Sequence, residues 1–216
     1  MGRRGLLAGD PVIRKQHWDT AYAAKKPEEV SWYQPLPEKS LELVGKTGVD
    51  KGAPIIDVGA GASRLVDNLL DQGFIDISVL DVSPVALRHA QDRVGARADQ
   101  VRWIESDVLL FEPERHFALW HDRATFHFLT DSADRNRYLD VVRRSLQPGG
   151  HLVLATFGPQ GPRKCSGLEV RRYSIDELGR LLTGHFELRW HGTEQHSTPG
   201  DATQQFLYSW WQYSQT

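Results

Sequence analysis

From residue 53 onward, short apolar runs alternate with stretches of helical spacing. Residues 53–58 form an apolar run broken by Pro54 and Asp57 and closed by a glycine turn. Residues 63–72 then place Leu65, Val66, Leu69 and Leu70 on one helical stripe. Residues 75–80 predict a second strand that ends at Asp81. Ser83 followed by Pro84 reads as an N-cap with proline at the first helical position, opening a helix to about residue 94. Residues 101–104 and 117–120 give a third and a fourth strand. Residues 133–146 carry Tyr138, Val141, Val142 and Leu146 at helical spacing, and Pro148-Gly149-Gly150 stops that helix ahead of an apolar fifth strand, 151–157. Ser174-Ile175-Asp176-Glu177 is a capping-box signature for a helix with Leu178, Leu181 and Leu182. Residues 185–190 and 205–210 predict the last two strands, joined by a polar stretch with no room for a helix.

Strand–helix alternation predicts an α/β fold, a parallel sheet covered on both faces through right-handed crossovers. The short final connection suits an antiparallel hairpin better than a crossover. The expectation is a seven-stranded, mostly parallel sheet with one reversed strand near its edge. A chain of 216 residues accommodates one such domain with a full core and is short for two. The net charge of −2 and a pI of about 6.5 leave no basic field, so nucleic acid is not an expected partner. The single cysteine excludes an intramolecular disulfide framework and an all-cysteine zinc site. Near the N-terminus, Leu6, Leu7 and Ala8 are too few for a signal-peptide core, and no stretch approaches the roughly 18 apolar residues of a membrane span. The chain is therefore expected to be cytoplasmic, without a membrane partner and with a mobile first dozen residues. Its oligomeric state is left open.

Candidate chemistry sits at three strand ends. Asp57-Val58-Gly59-Ala60-Gly61-Ala62-Ser63 follows the first strand, where glycines allow a tight turn and close approach of a ligand to the main chain. A dinucleotide fingerprint would need Gly or Ala at 64, where this chain has Arg64, so the NAD reading is excluded. Asp81 ends the second strand, where a carboxylate can accept from a ribose diol. Asp107, in Glu105-Ser106-Asp107-Val108, follows the third, where it can accept from an adenine amino group. One such aspartate is more often a cap or a solvated turn; three strand ends in order make the signal.

The glycine loop, Asp81 and Asp107 resemble motifs I, II and III of the class I S-adenosylmethionine-dependent methyltransferases, and the resemblance runs from about residue 17 to the C-terminus. It implies a Rossmann-like three-layer sandwich with an antiparallel last strand, S-adenosyl-L-methionine as cofactor, and methyl transfer to a separate acceptor. By that likeness Gly59 and Gly61 lie against the cofactor, with Asp57 and Ser63 in the same loop. Ser63 stands where many members have a third glycine. Asp81 with Val82 takes the ribose, Asp107 with Val108 frames the adenine, and Asp122 joins the cofactor side. The front segment, with His17-Trp18-Asp19, Tyr22, Lys25 and Ser31-Trp32-Tyr33, resembles aromatic segments that cover the cofactor in several small methyltransferases. This implies an arm and lid over 1–35 and a methyltransferase domain over 36–216. Trp32 is expected at the cofactor, and Trp18, Tyr22 and Tyr33 in the substrate pocket; a surface helix packing its aromatics on the domain is the alternative.

Methyl transfer from a sulfonium is an in-line displacement that needs alignment and exclusion of water, and a base only for a protonated acceptor. The sequence after the fourth strand, Trp120-His121-Asp122-Arg123-Ala124-Thr125-Phe126-His127, lacks the Asn/Asp-Pro-Pro-aromatic segment of adenine and glutamine N-methyltransferases and a Pro-Cys nucleophile. It is similar instead to small-molecule methyltransferases, in which a histidine at the position of His127 often sits near the acceptor. His127 is the expected base. Cys165 and His196, in loops that leave the same end of the sheet, are expected to share its rim, there to orient the acceptor, hold a metal, or tie two loops together. A small-molecule methyltransferase, a protein lysine methyltransferase and a non-catalytic cofactor-binding domain all remain open. An open acidic groove would mark the second and an occluded acceptor side the third.

Overall fold

The computed structural model describes residues 10–214, so the expectation of a mobile N-terminus falls almost wholly outside the described residues. Asp10 caps the first helix, α1 (Pro11–Ala24), by accepting from the Val12 N–H at 2.9 Å, and Pro11 fills the first turn where no N–H is needed. Helix α2 (Glu38–Thr47) ends on Gly48, whose φ of 72° suits glycine. The chain then alternates through β1 (Ile55–Val58), α3 (Leu65–Asp71), β2 (Ile77–Asp81), α4 (Pro84–Val94), β3 (Val101–Glu105), β4 (Phe117–Arg123), α5 (Ser132–Ser145) and β5 (Leu146–Phe157). A small hairpin, β6 (Lys164–Cys165) and β7 (Leu168–Glu169), follows, then α6 (Ile175–Leu182), β8 (Phe186–Ser197) and β9 (Thr203–Tyr213).

The main sheet has seven strands in the order β3-β2-β1-β4-β5-β9-β8, with β1 to β5 parallel and β9 antiparallel to both neighbours. This is the Rossmann-like α/β sandwich with a reversed last strand that the pattern predicts. Central strands are buried on both faces. On β1, Ile56 and Val58 pack with Trp120, Tyr138 and Leu152 on one side, while Ile55 packs with Leu43, Leu65 and Leu119 on the other. Among the described residues no helix is long and apolar enough to cross a membrane.

Several strands run longer than the apolar pattern suggests: β5 already begins at Leu146 and includes Pro148-Gly149-Gly150, and β9 spans Thr203–Tyr213. Strand β4 continues to Arg123, because His121 and Asp122 are polar yet buried with hydrogen-bond partners. The polar stretch before the last strand is itself sheet: β8 reaches Ser197 with polar side chains largely on an exposed face. The loop after β5 is not loop throughout, since Ser166 (φ 50°) and Gly167 (φ 78°) turn it into the β6–β7 hairpin.

Candidate active site

Where β1 ends, the chain turns through Gly59 (φ 59°) and Gly61 (φ 54°), a region that strains any residue with a Cβ. Space is short as well. A Cβ would fall 1.7 Å from Thr125 Oγ1 at Gly59 and 2.0 Å from the Tyr22 hydroxyl at Gly61. The Gly59 N–H donates to the Leu80 carbonyl at 2.7 Å and the Gly61 N–H to Asp81 Oδ2 at 2.7 Å. From beneath, Arg93 of α4 holds the Asp67 carboxylate and donates to the carbonyls of Ala62 (2.9 Å) and Ser63 (2.6 Å). The loop is gripped from both sides.

A cleft opens beside this loop at the carboxyl ends of the parallel strands. Gly59, Asp81, Val82, Asp107 and Val108 line one half, and Arg123, Ala124, Thr125 and Cys165 line the other. Asp81 accepts from the Ser83 N–H at 2.8 Å as well as from Gly61; burial nonetheless pushes its carboxyl up to about 6. Asp107 accepts from the Leu109 N–H at 2.9 Å and from Arg14 Nε at 2.7 Å, so α1 reaches the carboxylate from above. Lys15 pairs with Glu105 at 2.6 Å, and the Ser83 hydroxyl donates to Asp19 at 2.6 Å. Over the cleft Trp18 meets Phe128 and Trp32 edge-on at centroid distances of 5.0 and 5.9 Å, and Tyr22 meets Trp32 at 6.1 Å. The front segment thus lies over the cleft and packs its rings together at once.

A second hollow lies on the other side of the glycine loop, where Asp57, Ser63, Tyr33, Arg64 and His121 face it. His121 Nδ1 is 2.7 Å from Asp57 Oδ1, and its Nε2 is 2.9 Å from the Ser40 hydroxyl. Asp57 Oδ2 is buried and has no partner among the described residues. Gly59, Trp32 and Arg123 border both spaces.

Three expected site residues are placed elsewhere. His127 is fully buried, its Nδ1 accepts from the Phe157 N–H at 3.1 Å, and its ring packs on Phe128 and Phe157. Burial takes its pKa down to about 3, and it does not line the cleft, so it is a core imidazole and not an acceptor-side base. His196 is buried and donates from Nε2 to the Ser31 carbonyl at 2.9 Å, which makes it a tie between β8 and the front segment. Asp122 is also fully buried, holding the Tyr138 hydroxyl and the N–H groups of Thr125 and Phe126. It shapes the loop after β4 without facing the cleft. Of the expected rim trio, Cys165 alone lines the cleft. Burial pushes its thiol up. Arg14, Arg123, Thr125 and Phe128 line the cleft without having been singled out; an alternating strand carried to residue 123 would have placed Arg123 on the sheet face opposite to Asp122.

A family model described as a methyltransferase domain matches residues 56–152. The eEF1A lysine and N-terminal methyltransferase of Bos taurus is 27% identical over 63% of this chain and 20% of its own. The malonyl-[acyl-carrier protein] O-methyltransferase of a Paenibacillus species is 30% identical over 49% of this chain and 39% of its own. The demethylmenaquinone methyltransferase of Thermus thermophilus is 31% identical over 61% and 60%. This chain therefore spans less than two thirds of these relatives' lengths. Among solved structures, a methyltransferase from Anabaena variabilis superposes with a TM-score of 0.73 at 17% identity, covering 97% of both chains. The N-methyltransferase NodS of Bradyrhizobium japonicum, crystallised with S-adenosyl-L-homocysteine, gives 0.68 at 18% identity over 92% of this chain and 100% of its own. With the glycine loop, Asp81 and Asp107 in order along one cleft, and with the domain model matched over residues 56–152, the chain carries a methyltransferase domain of the class I, S-adenosylmethionine-dependent type.

Proposed function

We propose that the protein transfers a methyl group from S-adenosylmethionine to a small-molecule acceptor by in-line displacement. One observation carries the reading: a cleft at the carboxyl ends of β1 to β4, with the strand-end aspartates on its floor and aromatic rings as its roof. The residues fit the cofactor. Val82 and Val108 offer apolar flanks for a flat base, Asp107 an acceptor for its amino group, and Asp81 an acceptor for ribose hydroxyls. Gly59 brings the main chain close to both hollows, Gly61 is closed off by the Tyr22 hydroxyl, and the unpartnered Asp57 Oδ2 can accept from an ammonium. When bound, the cofactor supplies an electrophilic methyl group, taken up by the acceptor's lone pair while the broken bond's electrons stay on sulfur. Trp18, Tyr22, Trp32 and Phe128 keep water away, and their π-faces suit a cationic sulfonium.

No histidine is among the described residues lining this cleft, and the Cys165 thiol stays protonated. The proposal therefore takes an acceptor atom that arrives with its lone pair free. The arm over 1–35 acting as lid and a cytoplasmic setting belong to the same proposal. Relatives that act on protein support a second reading, a protein methyltransferase. Against it, the outer groove between α1 and the two hairpins is lined by Lys25, Glu29 and His17 and does not concentrate acids. Calorimetry with S-adenosylhomocysteine, followed by labelled methyl transfer to small amines and thiols, tests the proposal. It expects binding and a labelled small product; no binding of the nucleoside, or label entering added polypeptide alone, overturns it.

A further inference from the structure

Arg123, the last residue of β4, carries a charge that the fold leaves unanswered. Its Nε donates to the Tyr208 hydroxyl at 2.9 Å and its Nη1 to the Trp32 carbonyl at 2.9 Å, and the guanidinium lies 4.4 Å from the centre of the Phe206 ring. Its Nη2 is buried with no partner among the described residues. Arg14 in the cleft and Arg93 beneath the glycine loop each sit on a carboxylate, Asp107 and Asp67 respectively. Arg123 sits on none among the described residues. Glu194 shares the Tyr208 hydroxyl with Arg123 and makes no ion pair with it among the described residues. Cys165, His127 and His196 all feel the positive charge, and burial holds all three neutral, so none offsets it. An inward cation held by neutral groups alone is a costly arrangement in a fold, and an anion completes it.

The position says which anion. Gly59, Asp81 and Asp107 stand at the ends of β1, β2 and β3, on one side of β4. The residues that hold Arg123 from the sheet, Phe206 and Tyr208, belong to β9, two strands beyond β4 on the other side. The guanidinium therefore leans out of the cofactor half and into the half where the acceptor has to lie, beside Cys165. We infer that the methyl acceptor carries a carboxylate, separate from the atom methylated, which the unpartnered Nη2 of Arg123 takes up as a charge-assisted hydrogen bond. The inference rests on the methyltransferase reading above. The one other carboxylate that could arrive is the amino-acid tail of the cofactor, because Arg123 also borders the second hollow.

Two arms separate these sources. In the first, wild type, Arg123→Gln and Arg123→Lys are titrated by calorimetry with S-adenosylhomocysteine and with methylthioadenosine, which lacks the tail. Any loss should be equal, within about threefold, for S-adenosylhomocysteine and methylthioadenosine, since Arg123 holds the Trp32 carbonyl of the roof and, on this inference, does not hold the tail. A loss of about tenfold or more, confined to the nucleoside that has the tail, assigns Arg123 to the cofactor and overturns the inference. In the second arm, binding to the S-adenosylhomocysteine complex and labelled methyl transfer are measured with matched probes. These are mercaptopropionate against mercaptopropanamide, aminopropionate against aminopropanamide, and phenylpropionate against phenylpropanamide. Wild type should prefer the carboxylate of at least one pair by about tenfold, Arg123→Gln should lose the preference, and Arg123→Lys should keep part of it. No preference in any pair, or a preference that survives Arg123→Gln, overturns the inference. A wild-type protein that does not bind S-adenosylhomocysteine sinks the methyltransferase reading itself, which the first titration shows before any probe is added.

Discussion

Asp81 and Asp107 hold matching places in the sequence and sit in unlike electrostatic surroundings. Asp81 accepts from backbone N–H groups and has no ion-pair partner among the described residues, and burial raises it to about 6; Asp107 is paired with Arg14. If each accepts from the cofactor, Asp81→Ala and Asp107→Ala should weaken S-adenosylhomocysteine by about 1–3 kcal/mol while the fold survives. Calorimetry checks this, and unchanged affinity in either variant removes that residue from the cofactor site. A pH dependence follows for Asp81. Its acceptor form is lost as pH falls through about 6, so affinity should drop below that point by up to about one decade per pH unit, and Asp81→Asn should flatten the profile. Stability of the ligand-free protein should move the other way. A carboxyl raised in the folded state contributes stability below its unfolded value of 3.8 that is lost as pH rises through about 6, and Asp81 and Asp122 both do so. At this scale the sequence was legible only in part. Asp81 and Asp107 could be read because a strand end fixes where they point. His127 could not, because whether an imidazole faces a cleft or Phe157 is decided by packing from distant strands. Arg123 went unread because the apolar run stops at Trp120, although the strand does not.

Among the elements, α1 makes the most distinctive attachment. Its polar side chains fasten it to the ends of β2 and β3 through Arg14, Lys15 and Asp19, and its rings meet Trp32 and Phe128 across the cleft. Tyr22 is buried and Trp18 half-buried, so Trp18 is the cleaner probe. Trp18→Ala should cut labelled methyl transfer by about tenfold or more through admission of water, while thermal unfolding shifts far less than for a truncated core residue. Full turnover in that variant would reduce the ring to packing. The helix itself was hard to read in advance, since its apolar positions form no continuous stripe and it is held by ring packing and by ion pairs with residues some 90 positions away, such as Arg14 with Asp107. The opposite holds for α6, where a local capping box, Ser174 with Glu177, is written in four consecutive residues and forms as read.

For the whole molecule, the strand–helix alternation was enough to give the sheet, its parallel body and its reversed strand, because crossover handedness and a short last connection leave few topologies. What it could not give was how the front segment closes over the sheet, which depends on contacts spanning the chain, such as His196 with Ser31 and Arg123 with Trp32. Cofactor binding is linked to the stability of the entire fold. At a hundredfold excess over its dissociation constant, S-adenosylhomocysteine should add about 2.7 kcal/mol, raising Tm by roughly 5–10 °C for a domain of this size. Differential scanning fluorimetry checks this, and no upward shift at saturation would count against native-state binding.

The two pieces of the roof hang from different supports. Helix α1 is fastened over the end of β3 by Arg14 and Lys15, whereas the Ser31–Trp32 backbone is held by His196 of β8 and Arg123 of β4. The pieces meet ring to ring, Trp18 and Tyr22 against Trp32, and the expected opening parts those rings while the Ser31–Trp32 backbone stays held. Turnover should then follow a compulsory sequence, with the nucleoside entering first and leaving last and the methylated compound departing while α1 is still closed. Product-inhibition kinetics read this directly: S-adenosylhomocysteine should compete with S-adenosylmethionine and act as a mixed inhibitor towards the acceptor. Because ion pairs close that door, raising the salt should speed nucleoside dissociation in stopped flow.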